Sequence, residues 1–472
     1  MKDTQLLKQK KDTAVLAAAY RAWTAASALR HKRLRNKKFT YGDQWSDLTT
    51  GPDGERITEY ELYTLNGAPP ITNNMLRQLV KTIVGRFRSQ YIDVGKVKNK
   101  NLDGVRESNF LDELDSRALE EFLISGCAVQ RVDMEYGLCS RRVTVKNVNF
   151  NRFFVNALND PCARDCEIVG QIHDMSVAEL MRRVSGGDRK KAEWVRALYC
   201  EDAEARIASF VSTIGADDQS GVDFWHAAGG KCRVIEVWTL ESREVAVCHN
   251  RRKAEVTVLP FDKCGKASAD RDVTTRWDIA TTWHCRWFSP LGDVLAEWDS
   301  PWVHGSHPFV VKMYPLTDGE VHSFVEDVID QQKFVNRLIT IVNHIMNASA
   351  KGVLLFPETA LPDGMTWRDL RRVWQNCNGV LPYSPGLSNV KPEQVSINAT
   401  NVGAYEMINL QMKLLEEISG VSGVLQGKTG VASGNSATLY QSEVQNASIA
   451  LADVFDTFNG FRRERDKKVL GL

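Results

Sequence analysis

Phe324-Val-Glu-Asp-Val-Ile-Asp-Gln-Gln-Lys-Phe-Val-Asn-Arg-Leu-Ile-Thr-Ile-Val-Asn-His-Ile-Met346 decides how this 472-residue chain must be read. Phe324, Val325, Val328, Val335, Leu338, Ile339, Val342, Ile345 and Met346 recur at steps of three and four, and only Gln332 interrupts the row. That is the period of one helix face. No proline or glycine falls between Glu320 and Lys351, so the helix can run for about 31 residues, on the order of 46 Å at 1.5 Å per residue. An ordinary globular helix has roughly 11 to 12 residues. So long an apolar stripe needs a partner.

A second helix, Asn401 to Ile418, repeats the spacing through Tyr405, Ile408, Met412, Leu415 and Ile418. Between the two lie Gly352, Pro357, Pro362, Gly364, Gly379, Pro382, Pro385, Gly386 and Pro392, a density of breakers that no helix survives. The chain must therefore leave along one rod, build a small knob and return. Gly352-Val-Leu-Leu-Phe356 and Gly379-Val-Leu-Pro-Tyr383 read as short strands in the knob, with a helical turn over Met365 to Asn376. After the return helix comes Ser422-Gly-Val-Leu-Gln-Gly-Lys-Thr-Gly-Val-Ala-Ser-Gly-Asn435. A third helix then opens on an Asn435 or Ser436 cap, its face being Leu439, Val444, Ala447, Leu451, Val454, Phe455 and Phe458.

The order rod, knob, rod, glycine-rich loop, long helix resembles the portal protein of tailed double-stranded DNA bacteriophages, the head-to-tail connector, in its short-tailed phage form. The resemblance covers nearly the whole chain and is most specific from Pro308 to Phe461. It implies an α+β portal fold: a mixed wing over 1–315, stem helix 316–351, clip 352–399, stem helix 400–420, tunnel loop 421–435 and a C-terminal wing helix over 436–472. It further implies a ring of twelve copies at one capsid vertex of the virion, assembled in the host cytoplasm. Double-stranded DNA would pass through without sequence readout. The terminase large subunit, the major capsid protein and head-tail adaptor or tail proteins are the implied partners, with no cofactor, no metal and no catalysis.

Particular residues carry the implied roles. Gln426, Gly427, Lys428, Thr429, Gly430, Ser433 and Asn435 would form the tunnel loop, with Lys428 offering one cation per copy to a phosphate backbone. Val328, Val335, Leu338, Val342, Ile345, Ile408, Met412 and Leu415 would form the seam between copies. Phe356, Trp367, Trp374 and Tyr383 would build the clip.

Composition narrows the alternatives. At 43% hydrophobic the chain can bury a large core, and its length suits two to four domains. No apolar run reaches membrane-helix length and the N-terminus lacks a signal core, so cytoplasmic synthesis without a membrane is expected. Ten scattered cysteines read as reduced thiols. Cys162, Cys166 and His173 lack the paired spacing of a zinc site and read as packing. The net charge of +1 hides a basic N-terminal segment in which Arg30, Lys32, Arg33, Arg35, Lys37 and Lys38 crowd together. It reads either as a solvated helix end or as a contact for nucleic acid or an acidic neighbour.

Before the rods, the pattern predicts a helix over 10–35, an aromatic turn at Phe39 to Trp45 and polar loop to Pro70. A helix capped by Asn73 and another over Asp112 to Ile124 follow. Strands are expected over Ala128 to Met134 and around Val143 to Val148, then a Ser176-capped helix and a helix over Ala192 to Ala208. Further strands are Cys232 to Leu240, Glu244 to His249, Thr281 to Phe288 and Val294 to Trp298, before a strand within His307 to Pro315.

The competing class is an enzyme, a P-loop NTPase or other packaging-motor component, suggested by Gly427-Lys-Thr429. A P-loop needs glycine at position 422 and a strand before it. Position 422 is serine and a helix precedes. His284 with Cys285, and His304 with His307, have no carboxylate dyad or nucleophile elbow beside them. A tail or adaptor structural protein is the third alternative.

Overall fold

The computed structural model describes residues 11–65, 69–93, 100–136, 141–156, 159–199, 223–227, 230–250, 255–261, 273–302, 305–314, 316–351, 353–358, 361–362, 364–375, 382–384, 392–395, 402–421 and 449–471. The chain divides into two compact units, one made of Met1–Tyr41, Leu76–Asp327 and Ser419–Leu472, the other of Gly42–Met75 and Val328–Ile418. The stretch from Trp45 to Pro70, expected as polar loop, groups with the rods and contains a hairpin and a helix.

In chain order the elements are α1 (Thr13–Ala25), α2 (Ser27–Tyr41), β1 (Leu48–Thr50), β2 (Arg56–Thr58), α3 (Glu59–Leu65), α4 (Met75–Asp93), α5 (Lys100–Asn109), α6 (Leu111–Ser125), β3 (Cys127–Tyr136), β4 (Arg141–Asn147), β5 (Phe153–Val155), β6 (Ile168–Met175), α7 (Val177–Ser185) and α8 (Arg189–Leu198). Then come β7 (Cys232–Asn250), β8 (Glu255–Pro260), β9 (Val273–Phe288), β10 (Val294–Asp299), β11 (Phe309–Met313), β12 (Leu316–Thr317), β13 (Glu320–Val321), α9 (Phe324–Lys351), β14 (Val353–Leu355), α10 (Trp367–Gln375), β15 (Glu393–Val395), α11 (Val402–Ser419) and α12 (Ala452–Leu470).

The first unit is built on a six-stranded antiparallel sheet in the order β10-β9-β7-β6-β5, with β8 added beside the far half of β7. Alternation along β7 puts Val234 and Trp238 on one face and Ile235 and Val237 on the other, and all four are buried. Both faces are therefore covered. Leu16, Ala19 and Trp23 of α1 pack with Phe224 and Trp225 on one side. On the other, β11 and β3 of a three-stranded sheet, together with α7 and α8, close over Trp238, Cys285 and Phe153. Gly170 permits this packing, because a Cβ there would lie 2.2 Å from the Glu236 carbonyl oxygen and 2.3 Å from the Phe154 ring.

Several expected boundaries hold. Ser176 accepts from the Glu179 amide at 3.3 Å and starts α7, and Gly126 at φ +71° ends α6, as a left-handed cap should. Others change. The strands expected over Cys232 to Leu240 and Glu244 to His249 are one 19-residue strand, β7. Charges at Glu241, Arg243 and Glu244 suggest a turn, but no glycine or proline breaks the strand and β9 pairs with it without interruption from Ile235 to Asn250. The N-terminal helix is two, parted at Ala26. α8 stops at Leu198, and the rest of the helix expected to Ala208 lies almost wholly outside the described residues.

A charge is buried between the sheets. The fully buried Glu236 carboxylate accepts from Arg131 Nη1 at 2.5 Å, from Trp238 Nε1 at 2.7 Å and lies 2.6 Å from His173 Nε2. Burial alone would raise this carboxyl, but the Arg131 cation and the His173 contact outweigh it and hold it below the usual carboxylate range. A second buried carboxylate, Asp115, takes the guanidinium groups of Arg462, at 2.7 Å, and Arg465. These bonds fasten α12 to α6, beside Phe455, Phe458 and Phe461, all buried.

In the second unit, Gln332, Asn336 and Thr340 stand four apart on α9 and are each no more than 1% exposed. They serve an extended backbone instead of an apolar seam. Gln332 Nε2 donates to the Asn73 carbonyl at 2.7 Å and its Oε1 accepts from the Met75 amide at 3.1 Å. Asn336 Oδ1 accepts from the Asn73 amide at 3.0 Å, and Thr340 Oγ1 accepts from the Ile71 amide at 3.0 Å. Gln44 closes the row, accepting from Asn336 Nδ2 at 2.5 Å. Asn73, expected to cap α4, is itself the segment that the rod grips.

Two outcomes follow. Gln332→Leu removes its bonds to the Asn73 carbonyl and the Met75 amide, leaving those two groups only their 2.9 Å bond to each other, and should cost about 1–3 kcal/mol, read as a lowered denaturation midpoint, whereas an exposed change such as Asn343→Ala should be neutral. Because its pKa is depressed on folding, Glu236 stabilises the fold above the unfolded value of roughly 4.3, and that contribution fades as pH falls below it. In a pH series of thermal melts, Glu236→Gln should therefore lose stability at neutral pH, by about 3–5 kcal/mol for one partner of a buried pair, and show a flatter acid limb than the parent.

Candidate functional site

The rods and the knob belong to the second unit, and here α9 has two apolar rows. The inner row, Val328, Val335 and Val342, is buried within its own chain together with the polar ladder, as is Leu415 of α11. These four residues, expected to form the seam between copies, are thus already covered. Leu338, Ile345, Ile408 and Met412 are half-buried. A second row lies about 100° round the helix from the first. It runs Phe334, Leu338, Ile341, Ile345, with Ile341 46% exposed. On α11, Met407, Leu410, Leu414 and Ile418 form a matching row, with Leu410 51% exposed. Sequence reading overlooked Phe334, Ile341, Met407 and Leu410, although their spacing of three and four was there to find.

Two cations of the first rod, Lys333 and Arg337, are committed to the segment it grips. Lys333 Nζ bonds the Asp47 carboxylate and lies 3.4 Å from Glu59, and Arg337 Nη2 donates to Glu59 at 3.1 Å. Glu59 is nearly buried, so both charges are neutralised locally.

In the knob, β14 pairs with β15, Leu355 opposite Glu393, and not with the expected strand at Gly379 to Tyr383. Residues 376–381 lie outside the described residues, and 382–384 have no strand pairing. Thr366 and Asp369 form a reciprocal cap that starts α10: Thr366 Oγ1 accepts from the Asp369 amide at 3.3 Å and Asp369 Oδ2 from the Thr366 amide at 3.1 Å. Of the expected clip residues, Phe356 and Trp367 meet edge to face at 6.3 Å. Trp367 and Tyr383 are exposed and Trp374 is half-buried.

Gln426, Gly427, Lys428, Thr429, Gly430, Ser433 and Asn435 all lie outside the described residues. The basic N-terminal cluster, by contrast, is placed in the first unit, and much of it is internal. Arg30 is fully buried, its guanidinium 3.7 Å from the centroid of Trp23. Arg33 is buried against Glu121 and donates to Asn151 Oδ1 at 3.1 Å. Lys32 meets Glu326 at 3.1 Å, and Arg35 is exposed over Phe39. A buried cation cannot touch a phosphate, so any surface role in this cluster falls to the exposed members.

Cys162, Cys166 and His173 are not brought together: Lys312 Nζ lies 3.5 Å from Cys162 Sγ, while His173 turns to Glu236. Among the described residues no three His, Cys, Asp or Glu side chains form a metal-sized group, and no helix is long and apolar enough to cross a membrane. The described cysteines are free of disulfides. Burial pushes the thiols of Cys166 and Cys232 up to about 11, and raises those of Cys127, Cys162 and Cys285.

The family model described as Phage P22-like portal protein matches residues 16–472. No curated protein matches the chain. The match takes in the sheets, the rods, the knob and the last helix, so that this chain belongs to the P22-like phage portal protein family.

Proposed function

We propose that copies of this chain, twelve by family resemblance, close into a ring at one capsid vertex, and that the rods line a channel for double-stranded DNA during packaging and ejection. The observation that carries this reading is the pair of partly exposed apolar rows, Phe334 to Ile345 on α9 and Met407 to Ile418 on α11, with Phe334, Ile341, Met407, Leu410 and Ile418 exposed. Two different patches on one subunit make a heterologous contact, which closes into a ring when the rotation allows. The terminase large subunit and the head-tail adaptor would dock at the knob, and the major capsid protein would surround the ring. The reading is structural, not enzymatic.

With Lys333 and Arg337 neutralised by Asp47 and Glu59, the rods contribute little charge from these two positions to a passing duplex. Lys428 of the glycine-rich loop remains the natural phosphate contact, one per copy and blind to sequence.

Ile341→Asp combined with Leu410→Asp should leave circular dichroism and thermal melting of the subunit nearly unchanged, since both positions are exposed, yet abolish closed rings in negative-stain images. Wild-type rings from that variant would overturn the reading. Deleting Gly427 to Gly434 should preserve rings and impair packaging or retention of DNA, whereas failure to assemble would make the segment structural. ATP hydrolysis by the purified chain, lost in Lys428→Ala, would favour a motor component instead.

A further inference from the structure

Beyond the core of the six-stranded sheet, β8, the far half of β7 and the near half of β9 continue as a three-stranded arm. β10 pairs with β9 only from His284 to Phe288, and β6 pairs with β7 only up to Thr239. Among the described residues, no strand pairs with the outer edge of β8 or with β9 from Val273 to Thr282. Such edges are normally blunted by lysine, proline or a bulge. Here they read Glu255-Val-Thr-Val-Leu-Pro260 and Val273-Thr-Thr-Arg-Trp-Asp-Ile-Ala-Thr-Thr282, rich in β-branched residues, without lysine and with a proline only at the last position of β8. Val256, Val258, Trp277 and Ile279 are each more than half exposed.

We propose that the β8 edge of one copy pairs with the β9 edge of the next, so that the arms join into one sheet between neighbouring copies. This rests on the ring reading above and adds a second contact to it. Both edge strands run antiparallel to β7, hence parallel to each other, and copies set side by side without inversion would pair them in parallel. The shared partner strand fixes which residues lie level. Ala246 is opposite both Leu259 and Trp277, Cys248 opposite both Thr257 and Thr275, and Val247 opposite both Val258 and Arg276. Level pairing therefore sets Leu259 beside the exposed Trp277 on one face, and Thr257 beside Thr275. Cross-strand pairs of these kinds stabilise sheets. Glu255 meets Val273, Arg276 meets Val258 and Asp278 meets Pro260, so no like charges face each other. The occupant is a second copy because the two edges are unlike, complementary and on the same arm.

The test is cysteine pairing in the full-length assembled protein. Leu259→Cys with Trp277→Cys, and independently Thr257→Cys with Thr275→Cys, should give a ladder of covalent multimers on a non-reducing gel after mild oxidation or a short bis-maleimide. The ladder should be lost in each single variant, which also controls for the native cysteines. Closed rings in negative stain with no interchain product from either pair would overturn the edge pairing and leave the ring reading standing. Product from Leu259→Cys alone would show β8 meeting β8, which overturns the head-to-tail arrangement. A chain that stays monomeric would overturn both.

Discussion

One face of α9 cannot be apolar throughout, because the extended segment at Ile71 to Met75 has no strand to pair with and still carries backbone donors and acceptors. Gln332, Asn336 and Thr340 satisfy them at successive helix turns. An unpaired buried amide is costly, so this side of the rod is fixed by its own chain. Whatever apolar surface a neighbour is to use must then sit elsewhere on the helix. It does, one step round, at Phe334, Leu338, Ile341 and Ile345. A single rod thus gives one face to its own chain and leaves a second apolar row partly exposed.

The first unit solves a different problem with the same means. Its large sheet is covered on both sides, and the covering layers are joined to it by buried ions as well as by aromatic packing. Glu236 ties β7 to Arg131 of β3 and His173 of β6, while Asp115 ties α6 to α12. Buried ion pairs add little net stability compared with apolar packing. Their directional geometry does constrain how the layers register, since sliding either sheet would strand a charge.

The rods, the breaker-rich knob between them and the caps at Ser176 and Gly126 were legible in the sequence because each depends on a local rule: period, proline and glycine, or a side-chain oxygen beside an open amide. What was not legible depended on partners far along the chain. Gln332 looked like a flaw in a stripe, since nothing near it in sequence shows that Ile71 to Met75 arrives to meet it. Val328 and Val335 were read as facing a neighbouring copy because period reveals that a face is covered and not by what. Gly379 to Tyr383 was read as a strand on hydrophobicity, whereas β14 pairs with Glu393-Gln-Val395 through the backbone, which polar side chains do not prevent. Arg33 was counted with the surface charges because its acceptors, Glu121 and Asn151, lie about 90 residues or more away, and Arg30 because nothing in the local sequence shows that it folds back over Trp23 into the core.

The chemistry of the interior thiols bears on durability. A thiol is oxidised or exchanged through its anion, and the packing around Cys127, Cys166, Cys232 and Cys285 keeps that anion scarce at neutral pH. These four thiols are thus shielded from oxidation and exchange by the same apolar crowding that holds the sheets together.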